Sequence, residues 1–261
     1  MSGIRVAVLG ANGKMGRAVV RLAHEGGMKV VCAIGAADEG KDAGELAGVG
    51  ALGVRIAFDA KALATCGAQV LVDFSAPAAL APVFETCAAS GIAIVSGTTG
   101  LDDAGRALLD AAAKKVAVLW EPNMSVGVQV LSAFVAQAVK ALGPGYDIEV
   151  VEAHHRMKVD APSGTAIRLA EVAKSAREGS RLVHGRDGRP GARDKNQIGM
   201  HAMRGGDVIG DHTVFFLGDG ERLELTHRAS SRDLFARGAL RAAAWIAGKP
   251  AGRHHLADVL A

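Results

Sequence analysis

Aromatic side chains are scarce in this sequence: one Tyr, two Trp and seven Phe make up 4% of 261 residues. Platforms that stack single-stranded nucleic acid need such rings at the surface, so that class of function is disfavoured. Cysteine is rarer still. Cys32, Cys66 and Cys87 are an odd number without C-x-x-C spacing, which reads as reduced core residues of a cytoplasmic protein and not as a redox or metal centre. Neither sign of charge dominates. A formal net charge of +3 is too small to suggest a nucleic-acid surface and is compatible with an anionic small substrate. No stretch approaches the roughly 20 apolar residues of a membrane span. The early apolar run Ile4–Leu9 is only strand-length and ends in a Gly-rich turn, so neither a signal peptide nor a membrane partner is expected.

What is present is a globular composition, 49% hydrophobic and 22% charged, on a chain long enough for one large domain or two ordinary ones. The first half alternates short β-like runs with helical stretches. Ile4–Leu9, Val30–Ile34, Val70–Phe74, Ile92–Ser96 and Ala117–Trp120 are rich in Val, Ile and Leu without polar alternation, the pattern of strands covered on both faces. Helix candidates Lys14–His24, Ala78–Ser90 and Asp102–Lys115 lie between them. Repeated βα units with buried strands predict an α/β fold with a doubly wound parallel sheet.

The rhythm changes after Glu121-Pro122-Asn123-Met124. A long helix is predicted over Val126–Leu142, a strand over Asp147–His154 and a helix from about Ser163 to Ala176. Asp211–Phe216 and Arg222–Arg228 read as strands joined by a hairpin turn at Gly218-Asp-Gly220. Consecutive strands of this kind predict a second, α+β domain with an antiparallel or mixed sheet. A last helix, Asp233–Ile246, has Gly248 and Pro250 just beyond its end. The basic stretch Arg177–Lys195 is expected to be a solvated loop.

Three segments carry chemistry. Gly10-Ala11-Asn12-Gly13-Lys14-Met15-Gly16 follows a buried strand and opens a helix, the context of a dinucleotide fingerprint, although Asn12 replaces the usual second Gly. The free N–H groups and dipole of that helix start would receive a pyrophosphate. Ser96-Gly97-Thr98-Thr99-Gly100 follows a predicted parallel strand, where small residues let a ring approach the backbone and hydroxyls can bond a carboxamide or carboxylate. The third segment, Glu149 to Ala166, is a strand ending in His154-His155, a loop carrying Lys158, and a helix entered through Pro162 and Ser163. N–H groups near Ser163, Gly164 and Thr165 would form an anion site with Lys158 beside it. Carboxylate groups on a substrate suit this arrangement. A zinc site is disfavoured, because adjacent side chains on a strand point to opposite faces and no Cys or acidic pair completes a tetrahedral set. No metal is expected.

At Glu149–Ala166 the chain resembles the 4-hydroxy-tetrahydrodipicolinate (dihydrodipicolinate) reductase family, through the pattern E-x-x-E-A-H-H-x-x-K-x-D-A-P-S-G-T-A. The likeness extends over Gly10–Arg17, Asp42–Gly48, Gly97–Gly100, Asn123–Gly127, Arg204–Gly210 and Thr226–Arg232. It implies a Rossmann domain of residues 1–124 plus 235–261, and a substrate-binding domain of 125–234 that builds a homotetramer. It also implies NADPH or NADH as cofactor, a dicarboxylate substrate, a cytoplasmic setting and a place in diaminopimelate and lysine biosynthesis. By position, Gly10, Ala11, Asn12, Gly13, Lys14 and Met15 would line the pyrophosphate. Gly97, Thr98 and Thr99 would lie near the nicotinamide, with Glu121, Pro122, Asn123 and Met124 also on the cofactor. His155, Gly164 and Thr165 would hold substrate, and His154 and Lys158 would handle proton transfer. Met157 stands where relatives often carry a third His, and Gly35 where many carry the acidic residue that grips the adenine ribose. The cofactor motif by itself would also suit a homoserine or semialdehyde dehydrogenase, or a non-catalytic nucleotide sensor.

Overall fold

The computed structural model describes residues Gly3–Ala261. The chain forms two compact units, residues up to Ser125 together with Asp233–Ala261, and Val126–Arg232.

In the first unit the apolar runs become β1 (Arg5–Leu9), β2 (Lys29–Ile34), β4 (Val70–Asp73), β5 (Ala93–Ser96) and β6 (Ala117–Trp120). Two short strands without an apolar pattern join them, β3 (Ile56–Ala57) and β12 (Gly252–His254). All pair in parallel, in the order β12-β6-β5-β4-β1-β2-β3. Strands β4 and β5 are buried at every residue, because one apolar layer runs through Val6, Val8, Val70 and Val72 and the other through Ala7, Leu9, Leu71 and Ile94. That double burial is why these strands lack alternation. The helices are α1 (Lys14–Glu25), α2 (Ala43–Ala47), α3 (Leu80–Ser90), α4 (Asp103–Ala113) and, from the end of the chain, α7 (Asp233–Ile246). Arg21 of α1 bonds both carboxylate oxygens of Asp233 at 2.9 and 2.8 Å, and the α7 stripe Ala236, Ala239, Leu240 and Ala243 enters the first apolar layer. The chain therefore returns to this unit for its last helix. Strand order reverses between β1 and β4, which opens a crevice at their carboxyl ends.

The second unit has a five-stranded sheet, β11 (Glu221–Arg228), β10 (Asp211–Gly218), β7 (Asp147–His154), β9 (Gln197–Arg204) and β8 (Arg181–His184), in that order. It is mixed: β7 runs parallel to β9 and antiparallel to β10. Helices α5 (Val126–Leu142) and α6 (Gly164–Ala176) share a core with Ile148, Val150, Ile198, Val214 and Phe216. Two expectations are corrected here. The helical stretch Val126–Gly145 does have the length and composition to cross a membrane, with a mean hydropathy of 1.5; part of its apolarity serves this core, into which Leu131, Val135 and Val139 are packed, while Val130 and Phe134 are exposed. The basic stretch is no plain solvated loop either. It contains β8, and Arg186 and Arg193 fold onto Glu149 at 2.7 and 2.8 Å. Glu149 is 9% exposed, and a carboxylate so enclosed requires cationic partners. Those partners hold it ionised, with its pKa down at about 2 despite burial.

Candidate active site

The crevice of the first unit begins at Gly10. Its φ of +78° belongs to glycine, and a Cβ there would sit 2.5 Å from the Phe74 carbonyl oxygen. A Cβ at Gly16 would collide with the Gly10 carbonyl, so the loop and the first turn of α1 close together only without side chains. The α1 start has no side-chain cap and no acidic residue in its first turn. It thus presents uncapped N–H groups and the positive end of a 12-residue helix, which fits an anionic group such as a pyrophosphate. Ala11 is buried, Asn12 and Met15 are half-buried, and Gly13 and Lys14 are exposed. Asn12 does structural work as well, since its Oδ1 accepts the Ala36 N–H at 3.2 Å.

Beside this loop lies a cavity of about 530 Å³, bordered by Gly10, Asn12, Gly35, Ala36, Phe58 and Val83. A Cβ at Gly35 would meet Asn12 Oδ1 at 2.5 Å and Ile56 at 3.0 Å, so a side chain there would displace the Asn12 amide that holds the Ala36 N–H. Asp38, further along, is turned to Lys41 at 2.7 Å, and that bond lowers its pKa. The fit to a dinucleotide is good: a glycine cradle, an uncapped helix start and an apolar pocket for a base.

On the other side of the strand reversal, Thr98 is buried and its hydroxyl is bound to Asp73 at 2.8 Å, whereas Thr99 is exposed. Of the two threonines read from the sequence as ligand donors, Thr99 has the open hydroxyl. The ring that approaches Gly97 belongs to the protein, for a Cβ at Gly97 would strike Phe74. Glu121 is buried at 5% exposure, Pro122 is exposed, and Asn123 Oδ1 accepts the Ser125 N–H. Met124 is a core residue, 1% exposed.

The second unit brings the histidine segment together around a carboxylate that sequence reading passed over. Glu152 and His154 lie on one face of β7, in line with the core residues Ile148 and Val150. Register places His212 of β10 opposite Glu152, and Arg204 of β9 opposite His154. Glu152 Oε1 and Oε2 each accept an Arg204 nitrogen at 2.8 Å, Oε1 also takes the Ser163 N–H at 3.0 Å, and Oε2 lies 2.5 Å from His154 Nδ1. A carboxylate at Nδ1 fixes the proton there and leaves Nε2 as the open nitrogen. Burial lowers the His154 pKa, and Glu152 opposes the fall. The His154 ring stands edge-on to His212 at 5.1 Å, and His212 Nε2 meets Ser163 Oγ at 3.0 Å. Ser163 is the N-cap of α6, with Oγ accepting from Ala166 N–H at 3.2 Å. Its N–H and hydroxyl are therefore engaged inside the protein, and Gly164 and Thr165 form the more open part of the turn. Lys158 Nζ is held by Asp160 at 2.8 Å, and the half-buried His155 ring lies 3.3 Å from Arg232. Met157 is 77% exposed.

Glu152, Arg204, His212 and Arg232 were all missing from the sequence-read site. Glu152 left a signal in being two residues before His154 on the same strand and hence on the same face; Arg204 and Arg232 stand in stretches of family likeness, and His212 left none.

His212 makes the unit sensitive to acid. Burial, helped by the neighbouring His154 and His227 and opposed by Glu152, takes its imidazole from 6.5 down to about 4. The unfolded chain therefore binds this proton first. Its contribution is complete above pH 6.5 and is lost as pH falls from there towards about 4. Between pH 7 and pH 5, urea unfolding of the native chain should lose about 2 kcal/mol more than that of His212→Asn. Parallel pH dependences of the two would show that His212 is not buried neutral.

Comparison with known proteins covers both units. A family model described as dihydrodipicolinate reductase, N-terminus, matches residues 4–124, and one described as the C-terminus of the same reductase matches 127–260. The 4-hydroxy-tetrahydrodipicolinate reductase of Anaeromyxobacter dehalogenans strain 2CP-1 is 51% identical, covering 98% of this chain and 97% of its own. That of Alkalilimnicola ehrlichii is 47% identical with 98% coverage of both. Among solved structures, dipicolinate-bound dihydrodipicolinate reductase from Paenisporosarcina sp. TG-14 superposes with a TM-score of 0.77, at 25% identity and 98% coverage of both chains.

Proposed function

The chain belongs to the dihydrodipicolinate reductase family, and from that premise we propose how its own residues divide the work. The enzyme is a 4-hydroxy-tetrahydrodipicolinate reductase of diaminopimelate and lysine biosynthesis. It reduces its substrate to tetrahydrodipicolinate with loss of water, using NADPH or NADH. Loss of the 4-hydroxyl as water leaves an unsaturated, conjugated ring, and the cofactor, when bound, would supply the hydride that adds at C4 of that ring.

In this reading Gly10 to Met15 hold the pyrophosphate, Gly97 to Thr99 lie at the nicotinamide end, and Glu121 to Met124 complete the cofactor side. His155, Gly164 and Thr165 hold the dicarboxylate, with Lys158 as the cation beside it. Hydride addition moves negative charge through the conjugated imine towards nitrogen. A nearby ammonium stabilises that charge, and a positioned acid then protonates the ring. The observation that supports these roles best is the Glu152 carboxylate, bound at once to Arg204, His154 Nδ1 and the backbone of the α6 cap. It orients His154 so that Nε2 is the nitrogen that exchanges a proton, and ties that ring to the turn carrying Gly164 and Thr165. A nucleotide sensor would have no use for such a device. Cofactor oxidation that depends on enzymatically generated substrate is the expected result; oxidation indifferent to substrate would refute the assignment.

Both NADH and NADPH should serve without strong preference. An acidic side chain at the ribose favours NADH by binding the 2′-hydroxyl and repelling a 2′-phosphate; here Gly35 supplies no such group and Asp38 is engaged by Lys41. Parallel assays with the two donors should differ by less than about a hundredfold in kcat/KM, or ~2.7 kcal/mol. A larger ratio would mean that another residue discriminates.

The same reading includes a homotetramer, built through the sheet of the second unit, and a cytoplasmic setting in which the three free cysteines stay reduced. Family membership supports the assembly; on the sheet face opposite α5 and α6, Met203 and Leu217 are exposed at opposite ends of the strands. Sedimentation at micromolar concentration should give four chains; a monomer there would refute the assembly.

A further inference from the structure

Asp73 ends β4 with no exposed surface. Its Oδ1 accepts from Ser75 N–H at 2.9 Å and Ser75 Oγ at 2.6 Å, and its Oδ2 from Ser96 Oγ at 2.6 Å and Thr98 Oγ1 at 2.8 Å. Three hydroxyls and an amide converging on one group suit a carboxylate, whose four lone-pair sites they fill. Burial raises the pKa of this group on balance, and the four donors offset part of the rise. No cation among the described residues contributes. Glu121, the other buried acid at these strand ends, differs, because His255 lies 3.9 Å away. A buried anion without a counter-charge is costly, and proteins retain one where a cation arrives with a ligand or where chemistry creates one.

The topology says where such a charge would come from. The cavity beside Gly10, Asn12 and Gly35 is lined from the ends of β1 and β2 and from the segment that follows β4, Phe74 to Val83, and suits the adenosine half of a dinucleotide. In a doubly wound sheet the other half crosses the strand reversal to the carboxyl ends on the far side. Here those are the ends of β4 and β5, where Asp73, Ser96 and Thr98 stand.

We propose that the Asp73 carboxylate is the counter-charge for the oxidised nicotinamide ring. The reduced ring is neutral and the oxidised ring carries one positive charge. As the hydride departs for the substrate with both electrons of its bond, that charge grows, and a fixed anion in a dry site stabilises it without reorganising. Asp73 itself neither gains nor loses a proton. The proposal rests on the cofactor reading above.

Equilibrium binding of NAD⁺ and NADH, by calorimetry and without substrate, separates this role from loop support. Asp73→Asn keeps the shape and removes the charge. It should weaken NAD⁺ at least tenfold more than NADH, ~1.4 kcal/mol of difference. A purely structural role would weaken both alike. Circular dichroism verifies the fold, and if Asp73→Asn fails to fold, the smaller and equally neutral Asp73→Ser is read in the same way. Equal losses, or none, in a folded neutral variant would overturn the proposal alone. A native chain that binds neither cofactor would overturn the cofactor reading and the proposal with it.

Discussion

His154→Ala is expected to lower kcat by about 10²–10⁴-fold, the usual contribution of a positioned acid or base, with NADH affinity unchanged. The effect follows from the pairing of Glu152 with Nδ1, which leaves a single nitrogen for the reaction. The pH profile separates lost proton transfer from a lost contact. Burial lowers the His154 pKa below 6.5 in the free protein. As an acid it is then available only below that pKa, so the native kcat/KM should decline as pH rises through it. His154→Ala should lack that limb. Lys158→Ala should differ in kind, raising KM as well as lowering kcat, because in the proposed roles the ammonium acts on the bound carboxylate and on the developing charge alike. If both variants stayed folded with native kcat and KM, the proton-transfer assignment would be wrong.

Arg204→Ala should reduce the unfolding free energy by about 3 kcal/mol, the cost of leaving a buried carboxylate without its charged partner. The Glu152 side chain has no exposed surface and Arg204 is 20% exposed, so water can replace only part of the lost pairing. Arg204 also donates to the Asp160 carbonyl at 2.6 Å, which links the fold defect to the loop bearing Lys158. Adding Glu152→Gln to Arg204→Ala should recover part of the loss, since the amide removes the stranded charge. Urea denaturation reads both values. A loss below about 1 kcal/mol would place the pair with ordinary surface bridges.

Much of the fold was legible because it is written in local pattern. Strands β1, β2, β4, β5 and β6 announced themselves as apolar runs, and the glycine loop stood where a strand passes into a helix. Helices α5, α6 and α7 matched their expected spans closely. Strands β8, β9 and β12 were not legible. β12 is Gly-Arg-His, and β9 interrupts its apolar residues with Gly199 and His201. Both are strands because neighbours already in place offer backbone partners, which is a non-local cause. Misreading Arg177–Lys195 has the same origin: an arginine looks solvated until the register of β7 supplies Glu149.

By itself the sequence determined the parallel sheet, the glycine turn between β1 and α1, and the presence of His154, Lys158, Gly164 and Thr165 in one short segment. Proximity along the chain sufficed, since a strand, a loop and a helix start confine those groups within a few residues. Only the tertiary structure decided their chemical states. Arg204 is 52 positions from Glu152, and His212 is 49 from Ser163. Thr98 and Ser96 reach Asp73 from a separate strand. Charge, tautomer and proton affinity depend on distance and dielectric at the level of single ångströms, and sheet register sets those distances.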